Sequence, residues 1–303
     1  MTEFKIAADV DEAVALMSIG YRPVAGGTDL IVAARHGKTP LPDKIVSIER
    51  VGELSTIEET TDGLLIGAVV SHARLMKSEV VIDGYTSLAD ASSLVGSPST
   101  RNVGTIGGNV MNASPAMDTG APLVVLGADV VLRSARGQRR VPVAEFWTGP
   151  GATVAEPEEL CTGLVIPRGA KSSGSAYVRL EYRRAMEIAV VGAAARVDLD
   201  PNGSGRITSA AVAITAVAPT IISVDRAPEI LSGRELDDSI LEEVANAASE
   251  QSTPISDLRA TADYRRHCVG VMARRAVEAA HQRALGAEIA VPVNRSTGIG
   301  AVR

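Results

Sequence analysis

Apolar positions recur at helical spacing over residues 9–17, where Val10, Val14 and Met17 share one face and Asp9 or Asp11 can cap the start. Gly20 ends that helix. Residues 22–25 read as a short extended piece, Gly26-Gly27 break the pattern, and residues 28–35 restart as a helix with Thr28 and Asp29 as cap residues. Alternation predicts a strand at 44–48, and the more apolar stretch 64–70 predicts another, followed by a helix from 72 to 79. Residues 123–126, 129–132 and 138–143 read as a helix end and two strands, and 164–166 as a strand before Pro167. A polar Gly/Ser connection at 168–175 then marks a domain boundary. Beyond it, 176–180, 188–198 and 207–217 read as strands, and 237–248 and 261–284 as helices. The last residues, 289–303, carry Pro292, Asn294 and Gly298 without period and read as a loose or partner-bound tail.

Two stretches depart from this alternation. Residues 207–224 are uncharged and long enough to raise a membrane span. Their Ala, Ser and Thr content and Pro219 predict a strand and a loop instead. Residues 97–119 hold only two charges, Arg101 and Asp118, among Ser, Thr, Asn, Gly and Pro. The stretch reads as a long loop, and such long loops are usually functional or disordered.

Composition narrows the classes. The chain has 303 residues, 46% hydrophobic and 22% charged, which suits two or three packed domains and excludes a wholly disordered chain. Its net charge of −6 and the lack of a long Lys/Arg block argue against nucleic acid, as does an aromatic content of 3%. Two cysteines, Cys161 and Cys268, exclude a disulfide scaffold and any four-cysteine zinc or iron–sulfur site built by this chain alone. The N-terminal residues lack the basic start and apolar stretch of a signal peptide, so a cytoplasmic location is expected.

Candidate chemistry lies in two glycine-rich loops. In Ala25-Gly26-Gly27-Thr28-Asp29-Leu30, two glycines follow a strand and precede a helix, whose free N–H groups and positive dipole end suit a phosphate. The bland alternative is a tight strand-to-helix turn. The second loop, Thr105-Ile106-Gly107-Gly108-Asn109, has the small residues of an anion-binding nest, or of a polar glycine hairpin. Neither loop is G-x-G-x-x-G or G-x-x-x-x-G-K-[ST], which disfavours a Rossmann dehydrogenase and a P-loop NTPase. Two such loops, far apart in sequence, can converge on one dinucleotide.

Taken in order, Ala25-Gly-Gly-Thr-Asp-Leu30, Ile66-Gly-Ala68, Arg101-Asn-Val-Gly-Thr-Ile-Gly-Gly-Asn109 and Ser114-Pro-Ala-Met-Asp118 resemble the FAD-binding medium subunit of the molybdenum hydroxylases, the xanthine dehydrogenase and carbon monoxide dehydrogenase family. The resemblance continues through Glu159-Leu160, Ile166-Pro167, Arg183-Arg184, Ile188-Ala189 and Tyr264-Arg265, and covers nearly the whole chain. It implies an α+β fold: a two-subdomain FAD-binding module of the p-cresol methylhydroxylase type over 1–172, divided near residue 55, then a smaller α/β domain with a short antiparallel sheet over 173–287 and a tail over 288–303. Carried over by position, Ala25, Gly26, Gly27, Thr28, Asp29 and Leu30, with Thr105, Ile106, Gly107, Gly108 and Asn109, would cradle the FAD pyrophosphate. Asn112 and Asp118 would hold the adjoining sugar and ribityl region. Leu160 or Cys161 would lie near the flavin ring and Ile188 would cover part of it, although each is also an ordinary core residue by type. Cys161 then reads as a contact or core residue, not a redox thiol. The family often has Lys where this chain has Arg179, which would either stabilise charge at the flavin or pair on the surface with Glu181 or another acid.

The same resemblance assigns no catalytic acid, base or metal ligand to this chain. It implies partners: a large molybdenum subunit with molybdopterin and a small subunit with [2Fe-2S] clusters, in a dimer of heterotrimers. Gly-Gly-Thr-Asp in the first loop is similar to relatives that hydroxylate N-heterocycles or aldehydes rather than carbon monoxide. The alternative is a self-contained flavin oxidase or reductase of the same wider fold, some of which attach FAD through a histidine such as His36 or His72. On the last helix Arg265, Arg266, Arg274 and Arg275 read as a solvated face or an intersubunit one.

Overall fold

The structure, a computed structural model, describes residues 2–183 and 185–295; Arg184 and Gly298 of the readings above lie outside them. The first unit comprises β1 (Glu3–Ile6), α1 (Val10–Met17), β2 (Arg22–Val24), α2 (Thr28–Arg35) and β3 (Lys44–Ser47). Its three strands pair in parallel in the order β1-β3-β2. Asp9 caps α1 by accepting from the amide of Glu12, and the Glu12 carboxylate reaches back to the amide of Ala8. That cap aims Val10, Ala13, Val14 and Met17 at Val46, Val51 and Leu54, which form the first core.

The second unit is built on a five-stranded antiparallel sheet. It contains β4 (Ile57–Thr60), β5 (Gly63–Gly67), α3 (His72–Leu75), α4 (Glu79–Gly84), α5 (Thr86–Leu94), α6 (Pro98–Val103), α7 (Ile106–Asn112), α8 (Gly120–Val125), β6 (Asp129–Ser134), β7 (Gly137–Pro142), α9 (Val143–Phe146), β8 (Trp147–Gly149), β9 (Ala152–Thr153) and β10 (Leu160–Ile166). The sheet order is β4-β5-β10-β6-β7. The stretch 97–119, expected as one long loop, holds two short helices. Ser97 caps α6 with Pro98 in its first turn, and Thr105 caps α7. Those caps outweigh the poor helix propensity of Gly107 and Gly108.

The third unit runs through β11 (Ser173–Leu180), β12 (Val191–Leu199), β13 (Ile207–Thr215), β14 (Ile222–Ser223), α10 (Ala227–Leu231), α11 (Asp238–Gln251) and α12 (Ala262–Ala284). Its strands follow in sequence order, all antiparallel. One face, with Ala176, Val178, Ala193, Ala195 and Val197, packs on α12, which α11 covers from behind. The other, with Tyr177, Ala194 and Ala213, joins the core of the second unit. Small residues on both faces let the layers approach: a Cβ on Gly174 would lie 2.2 Å from the carbonyl oxygen of Ala280 on α12. Residues 188–190, expected within the second strand, precede it, and Ile188 is 49% exposed. No helix among the described residues is long and apolar enough to cross a membrane.

Among the described residues of the tail, 289–295, a further expectation is corrected. Val293 and Asn294 are buried, and the Asn294 side chain accepts from the amide of Arg179 at 3.2 Å and donates to its carbonyl at 3.0 Å, extending the hydrogen bonding of β11. The Arg265 side chain is likewise no solvated group: it donates to the carbonyls of Val190 and Ala216 and to Asp257.

Asp90 on α5 ties these pieces together. Its side chain is fully buried and accepts from the amides of Tyr177 and Val293, each at 3.0 Å, and from both terminal nitrogens of Arg283, at 2.7 and 3.0 Å. Asp90→Ala leaves Arg283 buried without its partner and should cost about 3–5 kcal/mol in chemical denaturation. Arg136→Ala, which breaks an exposed pair with Glu156, should cost less than about 1 kcal/mol.

Candidate functional site

The first glycine loop begins where β2 ends. Gly27 takes a left-handed φ of +64° at the N-terminus of α2, a conformation that favours glycine. No side chain caps this helix, so neither Thr28 nor Asp29 plays the expected capping role. Among the described residues, the amides of Gly27, Thr28, Asp29 and Leu30 have no hydrogen-bond partner. None of the residues of α2 is buried. The loop thus presents open amides and the positive end of a helix dipole.

The second loop behaves differently. The amide of Ile106 donates to Val70, that of Gly107 to Ala68 and that of Asn109 to Thr105, each at 2.9 Å, while the Thr105 hydroxyl accepts from the amide of Gly108 at 3.1 Å. The expected anion nest is therefore corrected: these four amides already have protein partners. The reason is close packing. A Cβ on Gly107 would sit 2.6 Å from that of Ala68, so the glycine lets α7 press on the end of β5. What this loop leaves open is the side-chain-free surface of exposed Gly108 and the amide of exposed Asn112. The Asn109 side-chain oxygen Oδ1 accepts from the Thr119 hydroxyl at 2.5 Å.

The structure brings the two loops together. A Cβ on Gly26 would fall 1.9 Å from the carbonyl oxygen of Val103, so only glycine allows the first loop to lie on the residues that lead into Thr105. Thr28 Oγ1 lies near Gly104, on the same junction. The carbonyl of Thr162 accepts from the amide of Ala68 at 3.0 Å, which sets β10 beside the second loop. Leu160 and Cys161 are nevertheless core residues there, packed in the first and second cores respectively. Burial pushes the Cys161 thiol up to about 12.

Asp118 and Arg179 meet each other. Asp118 accepts from the Tyr177 hydroxyl at 2.8 Å and from Arg179 at 2.7 Å, and Arg179 Nε donates to Glu181 at 2.8 Å. Arg179 is 0% exposed, so the expected surface pair with Glu181 is a buried one. Burial works against the guanidinium charge, but Asp118, Tyr177 and Glu181 outweigh it and hold its pKa above normal. Its charge is spent inside the protein. Ile188 stands in the exposed connection between β11 and β12, with Met186, and Val103 is exposed beside the first loop.

Two further residues occupy this region: His72, named above only for covalent attachment of FAD, and Arg101, which heads the second-loop motif without an assigned role. His72 donates its amide to Gly104 at 3.1 Å, its ring is buried, and its Nδ1 has no partner. Arg101 is half-buried in α6. The signal for Arg101 was its isolation, one of two charges in a neutral stretch; nothing in the local pattern marks His72.

Burial, aided by the Arg101 charge, holds the His72 pKa down at about 4, against 6.5 for a free histidine. Below pH 6.5 the unfolded chain takes up a proton that the native ring refuses, so stability falls as pH drops towards 4 and levels off beneath it. The full effect is about 3 kcal/mol. Thermal unfolding between pH 7 and 4 should show a shallower loss for His72→Gln than for the wild type.

Residues 1–169 match the family model for the FAD binding domain in molybdopterin dehydrogenase, and residues 176–280 match that for the CO dehydrogenase flavoprotein C-terminal domain. The chain is 34% identical to the carbon monoxide dehydrogenase medium chain of Afipia carboxidovorans, over 91% of this chain and 95% of that one. It is 30% identical to the xanthine dehydrogenase FAD-binding subunit of Escherichia coli, over 85% and 87%. A crystal structure of the Cu,Mo-CO dehydrogenase superposes with a TM-score of 0.88 at 32% identity, covering 93% of this chain and 98% of that one. With that architecture and these matched lengths, the chain belongs to the FAD-binding flavoprotein family of the molybdopterin dehydrogenases, as an oxidoreductase subunit of α+β fold.

Proposed function

We propose that this chain is the electron-transfer subunit of a molybdenum hydroxylase, holding FAD non-covalently and passing electrons from the [2Fe-2S] clusters of a small partner subunit to an external acceptor. The molybdopterin would sit on a large partner subunit, in a dimer of heterotrimers. Bound FAD supplies both one- and two-electron chemistry, which lets it link single-electron carriers to a two-electron acceptor. The observation that carries this reading is the junction of the two loops: four open amides at the start of α2, laid against Val103 by Gly26.

The residues fit a pyrophosphate. Gly27, Thr28, Asp29 and Leu30 offer N–H donors at a helix N-terminus, where negative charge is favoured. Gly108 lets the ligand approach the second loop, and exposed Asn112 offers an amide side chain. In this reading the remaining residues of 105–109 shape the cradle through packing, while Asp118 and Arg179 position the edge of β11. Leu160 and Cys161 would back the flavin ring from within the sheet, and exposed Ile188 would cover it. Domain limits of 1–172, 173–287 and 288–303 are part of the same proposal. The substrate belongs to the large subunit, and Gly-Gly-Thr-Asp in the first loop supports an N-heterocycle or aldehyde over carbon monoxide.

A self-contained flavin oxidase is the second reading, and the geometry weighs against attachment through His72, whose ring is buried. The purified chain should absorb near ~450 nm and release its FAD into the supernatant on acid precipitation. Flavin retained in the pellet would instead support the covalent oxidase, and no uptake of added FAD would remove the proposal. Gly26→Ala should weaken FAD binding at least about tenfold in a fluorescence titration. Gly52→Ala, where a Cβ meets nothing within 4 Å, should leave binding unchanged.

A further inference from the structure

Arg101 differs from the other buried or half-buried arginines of this region. Its Nη1 donates to the carbonyl of Val95 at 2.9 Å and lies 3.5 Å from that of Gly96. Arg179 and Arg283 face carboxylates, but among the described residues no carboxylate stands within ion-pair distance of Arg101. The groups that bear on its charge are the surrounding protein and a second cation, Arg179, and both act against it.

The place of this unmatched charge is informative. The carbonyl of Gly96 also accepts from the amide of Met186 at 3.0 Å, and Thr100 Oγ1 lies 3.8 Å from the Met186 sulfur. The segment bearing Arg101 is therefore pinned to the connection that carries exposed Met186 and Ile188. Exposed Val103 follows two residues after Arg101, on the first glycine loop. A partly desolvated guanidinium is costly without a counter-charge. Backbone carbonyls supply dipoles that orient it, but no negative charge. Beside an apolar rim, such a group suits a ligand with a flat apolar body and an anionic edge.

We infer that Arg101 supplies the positive charge that balances an anionic edge of bound FAD, either its pyrophosphate or the edge of its ring system, whose reduced form is the more negative. The inference rests on the proposed FAD reading and reassigns to Arg101 the electrostatic role that sequence comparison suggested for Arg179. Arg179 is already neutralised by Asp118 and Glu181. Arg101 keeps its full charge for a ligand, and its hold on Val95 and Gly96 fixes where that charge sits.

The test compares the wild-type chain with Arg101→Gln and Arg101→Lys in FAD affinity and in the midpoint potential of the bound flavin. An affinity for oxidised FAD at least about tenfold weaker in Arg101→Gln, and largely kept in Arg101→Lys, places the anion on the pyrophosphate. Unchanged affinity with a potential lower by about 30 mV, tenfold in a two-electron equilibrium, places it on the ring. Should Arg101→Gln fail to fold, Arg101→Met, which removes the charge and keeps the apolar stem, takes its place with the same outcomes. Arg101→Gln with wild-type affinity and potential overturns the inference while leaving the FAD reading intact. A wild-type chain that takes up no FAD overturns both.

Discussion

A single buried carboxylate, Asp90, holds three distant segments of the chain in one place. It draws the first strand of the C-terminal sheet through Tyr177, the last long helix through Arg283 and the tail through Val293. A buried charge is tolerated only when its lone pairs are filled, and here four donors fill them. Exchange of any one segment would leave a charge or an amide orphaned in the core. The interface of the second and third units is therefore specified in register as well as in area. The small-residue face of Ala194 and Ala213 alone would tolerate sliding.

The same strand is fixed again two residues after Tyr177, at Arg179. Asp118, at the end of the stretch that carries the second glycine loop, pairs with Arg179, and Asn294 clasps the backbone of that same residue. The connection from 181 to 190 thus leaves a strand held at Tyr177 and again at Arg179. Exposed Met186 is held beside the α6 segment by the carbonyl of Gly96, and exposed Ile188 follows two residues on. The geometry at the glycine loops depends on contacts made on the far side of β11, which is why buried ion pairs matter to a site that they do not line.

Much of this was legible in the chain. Asp9, Ser71, Ser97, Thr105, Asp237 and Thr261 each cap the helix that follows, and the longer helices with strong caps, at 10–17, 238–251 and 262–284, were read nearly to their ends. The helices at 98–103 and 106–112 were missed because their composition is that of a loop, and tertiary packing on Ala68 supplies what propensity lacks. The family resemblance rested on motif order, and the matched family models bear it out. Roles of charged residues were the hardest to read. Arg179, Arg265 and Arg283 are each drawn inward by a partner 61 to 193 residues away, Asp118, the Val190 carbonyl and Asp90, and no local window contains those partners, whereas Glu181, two residues from Arg179, was legible.

The two Gly-Gly pairs show why a motif and a mechanism are different things. Gly26-Gly27 and Gly107-Gly108 look alike in sequence and suggest the same nest. In the fold, Gly27 bends the chain so that four amides stay open, whereas Gly107 presses a helix on a strand and its neighbours' amides are consumed by Ala68, Val70 and Thr105. Open amide donors therefore lie on one loop, and the other offers shape. In the proposed reading, a pyrophosphate held by the open amides of one short helix needs further positive potential nearby. In a chain of net charge −6, that potential must be local. Of the two guanidiniums adjoining the junction, one is cancelled by Asp118 and Glu181, and the other, Arg101, faces only carbonyls. The distribution of carboxylates, more than that of arginines, decides which cation remains available to a ligand.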